Sequence, residues 1–185
     1  MKVKMCIITC VFVAGWLLCA IAHHSLGGDI LLSLMITFFT CAYHFLMRFA
    51  VGGIINAIFR NRMDYTRRWF AQKPFEPKLY KALGVKKWKN NMPTYSPETF
   101  SLEHHTLEEI VSATCQSEVV HEIIALLSLV PIAFTAIWGT FPVFLLTSIA
   151  AMLLDLSFVV MQRYNRPRLL RLMKHQKGDE KKNAS

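Results

Sequence analysis

A chain of 185 residues that is 54% hydrophobic and yet carries a net charge of +9 must keep its apolar and charged parts apart. The length sets one domain, 1–185, as the expectation, and the apolar share exceeds that of an ordinary soluble domain. Too little polar chain remains to cover the apolar runs, which argues against a water-soluble globule.

Lys2 and Lys4 precede the first run, from about 5 to 22. It ends in Ala20-Ile21-Ala22, so a cleaved signal peptide is an alternative to a retained span. Its length favours retention. The second run extends from Ile30 to Phe59, of which about 30–50 spans, with only His44 and Arg48 ionisable. Gly52-Gly53 interrupts it, and the helix is expected to continue beyond as an extension. The third run covers 119–138 and the fourth 141–161. A bilayer core of roughly 30 Å needs about 20 helical residues. Backbone in lipid must satisfy its own hydrogen bonds, so the expected fold is all-α, with about four transmembrane helices.

Charge fixes the orientation. Arg60, Arg62, Arg67, Arg68, Lys73, Lys78, Lys81, Lys86, Lys87 and Lys89 lie in the loop at about 60–118, and the tail at 163–185 is basic. The connections 23–29 and 139–140 contain no Lys or Arg. In a four-span arrangement every Lys and Arg except Arg48 falls on one side, which the positive-inside rule makes cytoplasmic. The expectation is a multi-pass cell-membrane protein with both termini and the basic loop in the cytoplasm.

Pro74, Pro77, Pro93 and Pro97 divide that loop into short helices. Thr106 is an N-cap followed by Glu108 and Glu109, so a helix starts there, runs through Val119 and bends near Pro131. The chain after Lys174 reads as disordered, and the bland alternative for 162–169 is a stop-transfer sequence with a turn marked by Pro167. Cys6, Cys10, Cys19, Cys41 and Cys115 form no CxxC and read as small apolar side chains, with no metal expected.

Chemistry is concentrated in a few places. Glu118 and His121, three apart, share one helix face, and a carboxylate beside an imidazole suits a general base. The bland alternative is an interfacial His with a solvated Glu. His44, Arg48 and Asp155 are ionisable groups inside apolar runs, costly unless they face a cavity or one another. All three are candidate substrate-binding residues; the structural alternative is an Arg48–Asp155 pair inside the bundle. Lys86-Lys87-Trp88-Lys89 offers cations and an aromatic platform for a phosphate-bearing cosubstrate, or else contacts to anionic lipid headgroups. Arg163, Arg166 and Arg168, with Asn165, make an anion clamp or a stop-transfer sequence. Nucleic acid is not an expected partner, because the cations lie beside membrane.

Three blocks resemble the glycosyl-4,4'-diaponeurosporenoate acyltransferases of staphyloxanthin-type carotenoid pathways. They are Val85-Lys86-Lys87-Trp88-Lys89, Glu118-Val119-Val120-His121, and Gln162 to Leu169, which reads QRYNRPRL and is the most specific. Together they organise about residues 70–172; the first two spans match poorly, and Asp155 stands where the family is expected to have Asn. The resemblance implies transfer of a fatty acyl group from a thioester, acyl-CoA or acyl carrier protein, to a hydroxyl of a membrane lipid or glycolipid, with no bound cofactor. By position it makes Glu118 and His121 the catalytic pair. Lys87, Trp88, Lys89, Arg163, Asn165, Arg166 and Arg168 become donor-binding or fold-holding residues. Residue patterns alone leave two alternatives, a lipid methyltransferase or reductase and a non-catalytic membrane adaptor.

Overall fold

The computed structural model describes residues 2–93 and 97–183, and among these every regular element is helical. Four segments are long and apolar enough to cross a membrane: Val3–Leu26, Asp29–Phe59, Leu107–Trp138 and Phe141–Asp179. Large apolar side chains along them face outward, Leu18, Ile21, Leu126 and Leu146 each being about two-thirds exposed or more. Such a surface is solvated by lipid rather than water. Hydroxyls within the apolar helices bond back one turn, Thr9 to the Met5 carbonyl and Thr40 to that of Ile36, which satisfies these two donors.

The chain divides into two units. The first comprises residues 1–53 and 124–153. It holds α1 (Lys2–Leu26), most of α2 (Asp29–Phe59), α6 (Thr135–Trp138) and the start of α7 (Phe141–Asn183). Two tight connections shape it: Gly27 and Gly28 at φ 70° and 97°, then Gly139 at φ 69° followed by Thr140 at 52°. Its interior is aromatic. Trp16, Phe134 and Trp138 ring Phe39 with centroids 5.3–5.5 Å away, and Phe12 meets Phe38 and Phe45. The expected break near Pro131 is present as a 3₁₀ turn, Val130–Phe134, after α5 (Leu107–Leu127). Pro131 has no N–H for the carbonyl of Leu127, four residues earlier, and the Tyr43 hydroxyl donates to that carbonyl at 2.8 Å instead.

The second unit comprises residues 54–123 and 154–185. The α2 helix passes through Gly52-Gly53 to Phe59 as expected. Arg60 and Asn61, both left-handed, then turn the chain. The amide of Asn61 donates to the Gln116 side chain at 2.7 Å, and Gln116 donates to Asn56 at 3.2 Å, so the turn is held against α5. The α5 helix starts in a capping box. The Glu109 amide donates to the Thr106 hydroxyl and the Thr106 amide to the Glu109 carboxylate, at 3.3 and 2.9 Å. Met63, Phe70 and Cys115 form a small core, with Tyr65 and Val119 packed against it. Two short helices, α3 (Glu76–Ala82) and α4 (Val85–Trp88), occupy the loop.

One expectation fails at the C-terminus: neither Pro167 nor Lys174 ends α7, which runs to Asn183. Pro167 removes one helical hydrogen bond. The side chains of Arg163 and Arg166 hold the turn before it, and Lys177 reaches Glu108 at 3.4 Å beyond it.

Candidate functional site

Within the second unit, α5 and α7 bring together residues far apart in sequence. Glu118 is fully buried, and each of its carboxylate oxygens takes a guanidinium. Arg163 Nη1 donates to Oε1 at 2.5 Å, and Arg166 Nη2 donates to Oε2. Arg163 also donates through Nε to Glu76 Oε1 at 2.8 Å, and to the carbonyls of Trp69 and Ala71. Arg166, 1% exposed, donates to the Thr114 hydroxyl and to the carbonyls of Thr114 and Phe70, with its guanidinium 5.0 Å from the Phe70 ring centre. Two buried carboxylates therefore meet two guanidiniums, and these four formal charges cancel. Pairing and hydrogen bonding are what make such burial tolerable. The three-residue spacing of Arg163 and Arg166 puts both on one face of α7.

Glu76 is held on its other oxygen by the Tyr80 hydroxyl at 2.9 Å. Burial, then this hydrogen bond, pushes the Tyr80 phenol well above its ordinary value. The sequence reading missed both residues. Their signal was an acid between two prolines, Pro74-Phe75-Glu76-Pro77, with a Tyr one helical turn on.

His121 pairs otherwise than its spacing from Glu118 predicted. Its Nδ1 lies 3.0 Å from Oδ1 of Asp155, and its ring stacks on Phe158 at 4.5 Å, 8° from parallel. Asp155 and Phe158, three apart on α7, thus fix the ring by one edge and one face. Glu118 does not orient the imidazole because both its oxygens are committed to Arg163 and Arg166. Asp155 is 1% exposed, whereas the His121 side chain is 21% exposed, so the carboxylate is closed off and the imidazole is partly exposed. Phe158 is a further residue that sequence reasoning missed. Nearby on α5, Glu122 accepts a hydrogen bond from the Trp69 indole at 3.2 Å.

A third cluster joins α4's end to α7. Lys89 Nζ donates to Asn165 Oδ1 at 3.2 Å and lies 5.7 Å from the Tyr164 ring centre. The Arg168 guanidinium lies 4.5 Å from the same centre and donates to the Tyr164 hydroxyl at 2.7 Å. Lys87 is exposed on α4, and the Trp88 indole donates to the nearby Leu83 carbonyl. His44 and Arg48 belong to the first unit. There His44 is buried edge-on to Tyr43, and Arg48 donates to the His44 carbonyl. Among the described residues no set of three His, Cys, Asp or Glu side chains is placed to hold a metal ion.

The helices and this buried polar network define a polytopic helical membrane protein with an ordered, charged segment between its second and third spans. Residues 66–175 match the family model described as glycosyl-4,4'-diaponeurosporenoate acyltransferase, and the chain belongs to that family of acyltransferases. The matched stretch contains all three clusters. No curated protein and no solved structure matches the chain.

Proposed function

We propose that the protein is a membrane acyltransferase that moves a fatty acyl group from a thioester, acyl-CoA or acyl carrier protein, to a hydroxyl of a lipid or glycolipid at the cytoplasmic face. The supporting observation is the His121–Asp155 dyad, which lies within the family-matched residues and leaves the imidazole 21% exposed. With Nδ1–H donated to Asp155, Nε2 is the basic nitrogen. It accepts the proton of the acceptor hydroxyl as that oxygen attacks the thioester carbonyl carbon. The tetrahedral adduct collapses by breaking the carbon–sulfur bond, and the leaving thiolate takes the proton back from Nε2. An ester and a free thiol result. The buried Asp155 carboxylate keeps the ring in one tautomer and balances the imidazolium formed midway. Glu118, Arg163 and Arg166 hold α5, α7 and the loop in the register this requires.

Orientation rests on the distribution of Lys and Arg, which supports a cytoplasmic position for both termini and the 60–118 loop, where soluble thioesters are found. The acceptor and the acyl chain reach the dyad from the bilayer.

Comparative lipid mass spectrometry on cells making equal amounts of wild type or His121→Ala tests the reaction. The expected result is a lipid heavier by one acyl group with wild type alone. The same product at the same level with His121→Ala contradicts the assignment. A mass difference of a methyl group or of two hydrogens points to a different lipid-modifying reaction.

A further inference from the structure

The stretch of α7 from Gln162 to Leu169 carries three guanidiniums, and the structure divides them. Arg163 and Arg166 are committed to Glu76 and Glu118. Arg168, two residues further on, has no carboxylate partner among the described residues, and neither has Lys89. Both cations nevertheless converge on one aromatic ring, that of Tyr164. Lys89 is placed by Asn165 and Arg168 by the Tyr164 hydroxyl. Tyr80 packs edge-on against the same ring at 5.4 Å, and Tyr80 is itself fixed by the buried Glu76. The platform is therefore rigid and its cations are outward: Tyr164, Asn165 and Lys89 are partly exposed, and Arg168 is exposed. Two exposed cations, Lys86 and Lys87, precede Lys89 on α4 and add to the positive field.

Like charges gathered on a preorganised surface without counter-ions repel one another unless an anion joins them. A guanidinium suits the paired oxygens of a phosphate, an ammonium adds a point charge, and the amide and phenol supply neutral hydrogen bonds. We infer that Lys89, Asn165, Arg168 and Tyr164 form a phosphate-binding site, distinct from the His121–Asp155 dyad, that takes the phosphate group of a substrate or lipid. The acyl-transfer reading bears only on what this ligand is for, so the test reads binding, not turnover.

The probes are coenzyme A and phosphatidylglycerol. Full-length protein in phosphatidylcholine nanodiscs is titrated with coenzyme A by calorimetry. Its melting temperature is then compared in discs with and without phosphatidylglycerol. Wild type is set beside Lys89→Gln/Arg168→Gln and beside Lys78→Gln/Lys81→Gln, which removes the same charge from exposed positions elsewhere in the loop. We expect the site variant alone to lose one of the two responses. Coenzyme A affinity falls about tenfold or more if the phosphate is the soluble cosubstrate's. If it belongs to a headgroup, the phosphatidylglycerol stabilisation is lost instead. Should the double variant fail to fold, Lys89→Gln alone carries the test, with a loss of about threefold or more. Equal behaviour of the site and control variants towards both probes overturns the inference, as does a wild type that responds to neither.

Discussion

Asp155 and Glu118 are both buried carboxylates on facing stretches of helix, yet their surroundings give them different work. Asp155 meets the imidazole edge of His121 at 3.0 Å, so its substitution frees the ring. Asp155→Ala is expected to lower acyl transfer about a hundredfold, the scale of a misplaced reacting group. Glu118→Gln removes the negative charge shared by Arg163 and Arg166 and leaves both guanidiniums under-neutralised in the interior. The expected loss is about 3–5 kcal/mol of stability, read as early melting in detergent and low yield. A Glu118→Gln protein that melts like wild type but does not turn over would give Glu118 a chemical role instead. Tyr80 offers a pH readout. Its folded-state value is raised, by burial first and the Glu76 bond second, so the neutral phenol is the form the fold favours. Its contribution to stability is complete below the unfolded value of about 10 and is lost as pH climbs through the folded value. Tyr65 is raised too, by its hydrogen bond to Glu108 first, so ultraviolet titration is expected to show tyrosine ionising late and Tyr80→Phe to reduce, not abolish, that late amplitude.

Among the elements, the first unit depends on close approach and on one substituted hydrogen bond. A Cβ on Gly15 falls 2.8 Å from a Phe38 ring carbon, so Gly15→Ala is expected to force the ring aside and lower the melting temperature. Tyr43→Phe strands the Leu127 carbonyl that Pro131 cannot serve, at a cost of about 1 kcal/mol by thermal denaturation. The four long helices, the Thr106 cap and the break at Pro131 were legible in the sequence because each follows from local rules: run length, capping and a missing N–H. The pairing of His121 was not. Spacing of three placed it with Glu118 on one face, but which partner a side chain takes depends on what the neighbouring helix presents. That helix presents Asp155 with Phe158 at one level and Arg163 with Arg166 at another. Glu76 and Tyr80 were hidden for a related reason, since a loop divided by prolines has no periodicity to mark its buried face. The helical tail past Pro167 escaped because composition, read alone, weighs polarity and not the contacts made by Arg163, Arg166 and Lys177.

For the molecule as a whole, the outward apolar surface of the four long helices means that detergent, and not salt or carbonate, is expected to release it from membranes. The charge distribution predicts that a cysteine replacing Lys86 reacts with an impermeant thiol reagent only after the cell membrane is opened. Labelling in intact cells would place the loop on the outer face and remove the acyl donor from reach. His121 is proposed as the base of an acyl transfer. The most direct test is the rate at which purified, reconstituted protein esterifies its lipid acceptor, wild type against His121→Gln matched for helix content and melting temperature. The account predicts a fall of about a hundred- to ten-thousand-fold. A His121→Gln rate within about twofold of wild type, too small a change for the loss of a general base, would contradict it.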